Sequence, residues 1–122
     1  MATDRTIIKD VAPDITEDAF WGELRRAGSP VPEAAARGVY RYAVKRGLLP
    51  SALLGIFAEE SSYGTNPDAI CVGGGGVPEP TYSWGNTTQD AQKPSYGDPG
   101  MGRVVRGRFT VYRDWVAGGI ST

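Results

Sequence analysis

The chain has 122 residues, with 13 basic and 14 acidic side chains and a formal net charge of −1. That length carries one small domain with one modest core, and the near-neutral charge gives no overall pull toward nucleic acid. There is no histidine and a single cysteine, Cys71, which excludes Ser-His-Asp and Cys-His catalysis, an intrachain disulfide and a cysteine-based zinc site, so neither metal nor cofactor is expected.

Residues 1–13 read as a flexible N-terminal segment ending at Pro13. The N-terminus is polar and no apolar stretch follows it, so neither a signal peptide nor a membrane span is visible. Asp14-Ile15-Thr16-Glu17 fits a capping box with Asp14 as N-cap, and opens a helix that runs to about Ala27 and ends at Gly28. Its inward face is Phe20, Leu24 and Ala27. A second helix opens at the proline-rich Ser29–Glu33, buries Ala36, Val39, Tyr40 and Ala43, and ends near Gly47. Pro50 starts a third helix, on which Leu53, Phe57 and Glu60 fall at i, i+4 and i+7.

That spacing predicts that Glu60 continues an apolar stripe. Burial disfavours the charged form of a carboxylic acid, and an acid kept protonated is what a glycosidase uses on its leaving oxygen. Glu59 is the rival, on the face shared by Ala52 and Ile56.

Beyond Asn66-Pro67 the character changes. Gly73–Gly76 and Val77-Pro78-Glu79-Pro80 read as a mobile loop without phosphate-loop spacing. Thr81–Thr87 is a candidate strand and turn, Gln89–Gly102 is irregular, and Arg103–Tyr112 is mostly strand-like, with Phe109 and Val111 on one face. Asp114 is placed to cap a last helical turn. The fold class is therefore α+β, mostly α, with a helical lobe and a small irregular β lobe.

Glu60-Ser61-Ser62-Tyr63-Gly64-Thr65 resembles the Glu-Ser-x-(Tyr/Trp/Phe)-Gly-Thr segment of the glucosaminidase branch of the lysozyme-like peptidoglycan hydrolases. Two more blocks resemble that family in the same order: Ser83-Trp84-Gly85-Asn86-Thr87 and Arg108-Phe109-Thr110-Val111-Tyr112-Arg113-Asp114-Trp115. The resemblance covers most of residues 29–119 and implies a single lysozyme-like domain over 14–122, or a fragment of a longer chain. Family members usually continue past the third block, with a tyrosine important for catalysis, whereas this chain stops at Thr122. The Gly-Leu-Met-Gln segment usual in lytic transglycosylases is missing, which favours the glucosaminidase.

What the resemblance implies is an endo-β-N-acetylglucosaminidase-like, bacteriolytic hydrolase, an endolysin or similar enzyme, with Glu60 as general acid. A second acid is expected from Glu79, Asp90 or Asp98, with Asp90 favoured because it follows the Trp84–Thr87 block. Alternatively the substrate's own acetamido group supplies the nucleophile. Tyr63, Tyr82, Trp84 and Tyr96 are the expected sugar platforms, Trp84 facing Glu60 across a groove. The expected partner is the glycan strand of peptidoglycan, met at the cell wall by an exported or phage-delivered monomer that binds neither nucleic acid nor membrane. A lytic transglycosylase or muramidase of the same fold is the alternative, as is an inactive cell-wall-binding or phage structural module.

Overall fold

Hydrophobic residues at helical spacing dominate the first half of the chain, and the computed structural model folds them as helices. It describes residues 13–86, 104–107 and 109–121. The order is α1 (Glu17–Ala27), α2 (Glu33–Lys45), α3 (Pro50–Ser61), a 3₁₀ turn (Ile70–Val72), strands β1 (Val104–Val105) and β2 (Phe109–Thr110), and α4 (Trp115–Ile120). The architecture is mostly α with one small antiparallel pair, as the sequence implies. Residues 1–12, which carry the expected flexible segment, lie outside the described residues.

α1 starts two residues later than the capping-box reading places it. Thr16, not Asp14, is the N-cap, its hydroxyl accepting from the Ala19 N–H at 3.1 Å. Both residue types cap well, and tertiary structure decides between them. Asp14 instead accepts hydrogen bonds from the backbone N–H and the hydroxyl of Ser51, holding the first turn of α3. Gly28 closes α1 at φ 78°. Glu17 joins α1 to α2 through Arg41 at 2.9 and 3.0 Å and Arg37 at 2.9 Å.

The main core lies between the helices. Phe20 and Leu24 of α1, Val39 and Ala43 of α2, and Phe57 of α3 are fully enclosed, and Trp84 and Trp115 close the cluster. Burying each such large side chain contributes about 1.5–3 kcal/mol. A second, smaller cluster of Ile70, Val77, Val105 and Val111 forms the core of the β lobe.

In the glycine-rich half, the Gly73–Gly76 stretch forms a turn in which Gly73 and Gly74 donate to the carbonyls of Ile70 and Ala69. A Cβ on Gly74 would stand 2.2 Å from the Pro67 carbonyl oxygen, so the backbones approach there as only glycine allows. The Arg103–Tyr112 stretch is not one strand but a hairpin. Val104 pairs with Thr110 and Val105 with Phe109, with the reversal at Arg106 and Gly107, both at positive φ. Thr81–Asn86 forms no ladder strand. It still ties the lobe together, Thr81 donating to Ile70, Tyr82 to Cys71, and Tyr112 to Thr81.

Asp114 caps α4 as the sequence predicts, accepting from the Ala117 N–H at 2.9 Å. This helix sits very close to its neighbours. A Cβ on Gly118 would overlap the Tyr82 carbonyl, and one on Gly119 would stand 2.6 Å from Val39.

Candidate active site

The end of α3 is built by a serine. Pro50, Leu53, Leu54, Phe57 and Ser61 are the buried residues of this helix. At 100° per residue they share one arc, and Glu60 lies about 75° from its centre. Glu60 is therefore exposed, which corrects the expectation of a buried acid; the residue that extends the stripe into the core is Ser61, 4% exposed. A buried hydroxyl needs partners. Ser61 Oγ donates to the Phe57 carbonyl at 3.3 Å and accepts from the Gly64 N–H at 2.8 Å.

Three left-handed residues follow: Ser62 at φ 52°, Tyr63 at 61° and Gly64 at 79°. Left-handed backbone costs about 1–3 kcal/mol at a non-glycine residue and persists only where its surroundings enforce it. Here the Ser62 and Tyr63 N–H groups satisfy the Ala58 and Phe57 carbonyls, and Thr65 Oγ1 returns a hydrogen bond to the Ser62 carbonyl at 2.7 Å. A Cβ on Gly64 would press against Pro30 and Phe57 at 3.1 and 3.2 Å. The Ser-x-Tyr-Gly-Thr pattern is thus a rigid helix terminator that holds Glu60 at its rim. Tyr63, half-buried, meets Phe57 edge-on at 6.3 Å.

The Thr81–Asn86 segment meets α3 through Trp84 and Asn86. Trp84 is its anchor and is 0% exposed. Its indole stacks on Phe57 at 4.6 Å and on Phe20 at 6.1 Å, and its Nε1–H donates to the Trp115 carbonyl at 3.1 Å. With its ring enclosed in the core, Trp84 has no face to offer a sugar, which corrects its assignment as a platform. The segment does return over the end of α3, but the residue that meets the acid is Asn86. Its Nδ2 donates to Glu60 Oε2 at 2.8 Å, from a backbone at φ 50°. Asn86 stands in the second block of the sequence resemblance, but was not singled out there. The available signal was its type, because asparagine is among the few residues that enter the left-handed region readily.

Tyr82 is half-buried and edge-on to Trp115 at 5.2 Å. Glu79 is half-buried. Asp90, Tyr96 and Asp98 lie outside the described residues. Glu59 is exposed on the outer face of α3 with Ala52 and Ile56.

Among the described residues there is no cluster of three or more metal-ligating side chains. Cys71 is fully enclosed, and burial pushes its thiol up, against a smaller opposing hydrogen bond with Ser61, so it is no nucleophile. What the site offers chemically is an exposed carboxyl group at a helix end, hydrogen-bonded by an amide. Comparison with protein-family models, curated proteins and solved structures finds no match. The resemblance of the Glu60–Thr65 block therefore stands on the residues themselves.

Proposed function

We propose that the protein is a peptidoglycan hydrolase of the endo-β-N-acetylglucosaminidase kind on a lysozyme-like scaffold, with Glu60 as general acid. The observation that carries this reading is the placement of Glu60: an exposed carboxyl at the rim of a rigid turn, engaged by a donor from across the chain. α3 carries no basic residue in its last turn. A glycan strand laid over this end excludes water from the reacting centre.

In the reaction Glu60 donates its proton to the glycosidic oxygen as the C–O bond breaks, and the sugar develops oxocarbenium-like charge. Either Asp90 activates the water that attacks C1, or the substrate's acetamido oxygen attacks C1 to give an oxazolinium that water then opens; water supplies the new C1–O bond and the proton that restores the acid, and Tyr63 and Tyr82 offer ring faces or edges to the sugar.

The test is digestion of purified peptidoglycan followed by mass spectrometry of the released muropeptides. Reducing-end N-acetylglucosamine is expected. Reducing-end or anhydro-muramic acid would assign the muramidase or the transglycosylase instead. Glu60→Gln should lower the rate by roughly 10²–10⁴-fold with the fold intact, because the amide is isosteric but has no acidic proton. Full activity in Glu60→Gln would remove Glu60 from the chemistry.

A further inference from the structure

We propose that Asn86 is the positioning residue of Glu60: its side-chain amide fixes the carboxyl group and decides which oxygen carries the proton to the scissile bond. This rests on the reading of Glu60 as the general acid.

The donor and the acceptor each stand beside an immobilised side chain. Two residues before Asn86, Trp84 is locked by stacking on Phe57 and Phe20 and by its hydrogen bond to Trp115. One residue after Glu60, Ser61 is locked by its hydrogen bonds to Phe57 and Gly64. Between these two fixed points lie the side chains of Glu60 and Asn86. An exposed glutamate has several rotamers, and a general acid that wanders among them loses most of the benefit of proximity. The 2.8 Å hydrogen bond from Asn86 Nδ2 removes that freedom.

The chemistry of the contact also has a direction. Nδ2 carries hydrogens and only donates, so the oxygen that it meets must offer a lone pair. Oε2 is that oxygen. In the protonated acid the carbonyl oxygen is the better acceptor, so Oε2 takes that role and the proton is left on Oε1. Asn86 presents its side chain from a left-handed backbone at φ 50°. A left-handed conformation at a non-glycine residue is retained where a precise aim is needed, and asparagine adopts it at low cost.

Two substitutions separate aim from architecture. Asn86→Gly deletes the amide while accepting the left-handed backbone. Asn86→Asp keeps the shape while removing the donor. Initial rates are measured on a soluble N-acetylglucosamine–N-acetylmuramic acid tetrasaccharide, with thermal melting as a check on folding. Both variants should melt near wild type, lose about 10- to 100-fold in kcat, and keep KM within about two-fold. Nuclear magnetic resonance of the Asn86 side-chain amide gives a readout free of activity: its signals should shift in Glu60→Ala.

Wild-type kcat in the Asn86→Gly variant, beside a dead Glu60→Gln, would overturn the inference and leave the general acid in place. A raised KM with unchanged kcat would overturn it too, making Asn86 a substrate contact. An inactive wild type or a fully active Glu60→Gln would instead overturn the glycosidase reading on which it rests.

Discussion

Replacing Trp84 by phenylalanine tests whether the indole anchors the core or serves a ligand. The substitution keeps one aromatic ring between Phe57 and Phe20, so the stacked pairs at 4.6 and 6.1 Å are largely preserved. Two things are lost. The fused five-membered ring leaves a void in a site that is 0% exposed, and the Trp115 carbonyl loses the donor that it meets at 3.1 Å. Three fewer buried heavy atoms cost about 2 kcal/mol in transfer free energy, before any cavity effect. A lost hydrogen bond in the interior adds about 1 kcal/mol. The sum, about 3 kcal/mol, is a large part of the 5–15 kcal/mol that holds a domain of this kind together. In urea it should lower the unfolding midpoint by about 1–3 M at an unchanged slope. Fluorescence supplies the second readout. The emission lost with Trp84 should be that of a water-excluded indole, and sugar titration should leave it unaltered. A destabilisation below about 1 kcal/mol, with a sugar-dependent signal that disappears in the variant, would refute the packing argument and return Trp84 to a groove.

Three further outcomes follow from the geometry. Gly74→Ala forces a Cβ to within 2.2 Å of the Pro67 carbonyl, whereas the same change at Gly76 meets nothing within 4 Å. Gly74→Ala should cost several-fold more in a denaturation series than Gly76→Ala, which carries only the left-handed penalty of about 1 kcal/mol; equal costs would place the Gly73–Gly76 turn in solvent. The guanidinium of Arg41 first, and that of Arg37 second, hold the Glu17 carboxyl below its usual range. A lowered folded-state value contributes stability that is complete above the unfolded value and lost as pH falls through the folded one. Wild type should therefore lose melting temperature below about pH 4.5, while Glu17→Gln loses less over the same window; because the pair is near the surface, added salt should shrink the difference. Asp14, held down chiefly by the Ser51 hydroxyl, acts in the same sense, so Ser51→Ala should also soften the acid limb.

The helices were legible because each ends on a residue with a local reason to end it. Gly28 supplies the left-handed cap, and prolines sit at the starts of α2 and α3. The buried set Ala36, Val39, Tyr40 and Ala43 follows directly from the 3.6-residue period. Glu60 was misjudged because the period identifies a face but not its width. A serine with its hydroxyl bonded to nearby backbone extends an apolar stripe as well as a leucine does, and no hydrophobicity pattern records this. Trp84 was misjudged for another reason: a core indole and a cleft indole look alike until the partners that enclose it, here Phe20, Phe57 and Trp115, are brought together from distant parts of the chain. The hairpin was hidden because Arg106 adopts a left-handed conformation that favours glycine or asparagine, so only Gly107 marked the turn. Asn86 is marked in the sequence by its residue type alone, since its contact exists only through a partner 26 residues away.

The close seating of Gly118 and Gly119 against Tyr82, Trp84 and Val39 has a kinetic consequence. The Thr81–Asn86 segment is tied to α4 by the hydrogen bond from Trp84 to the Trp115 carbonyl, 31 positions away. Local opening of α4 should release it as a unit, so the amides of 81–86 and of 115–120 should exchange with solvent together, while those of α2 stay protected up to global unfolding.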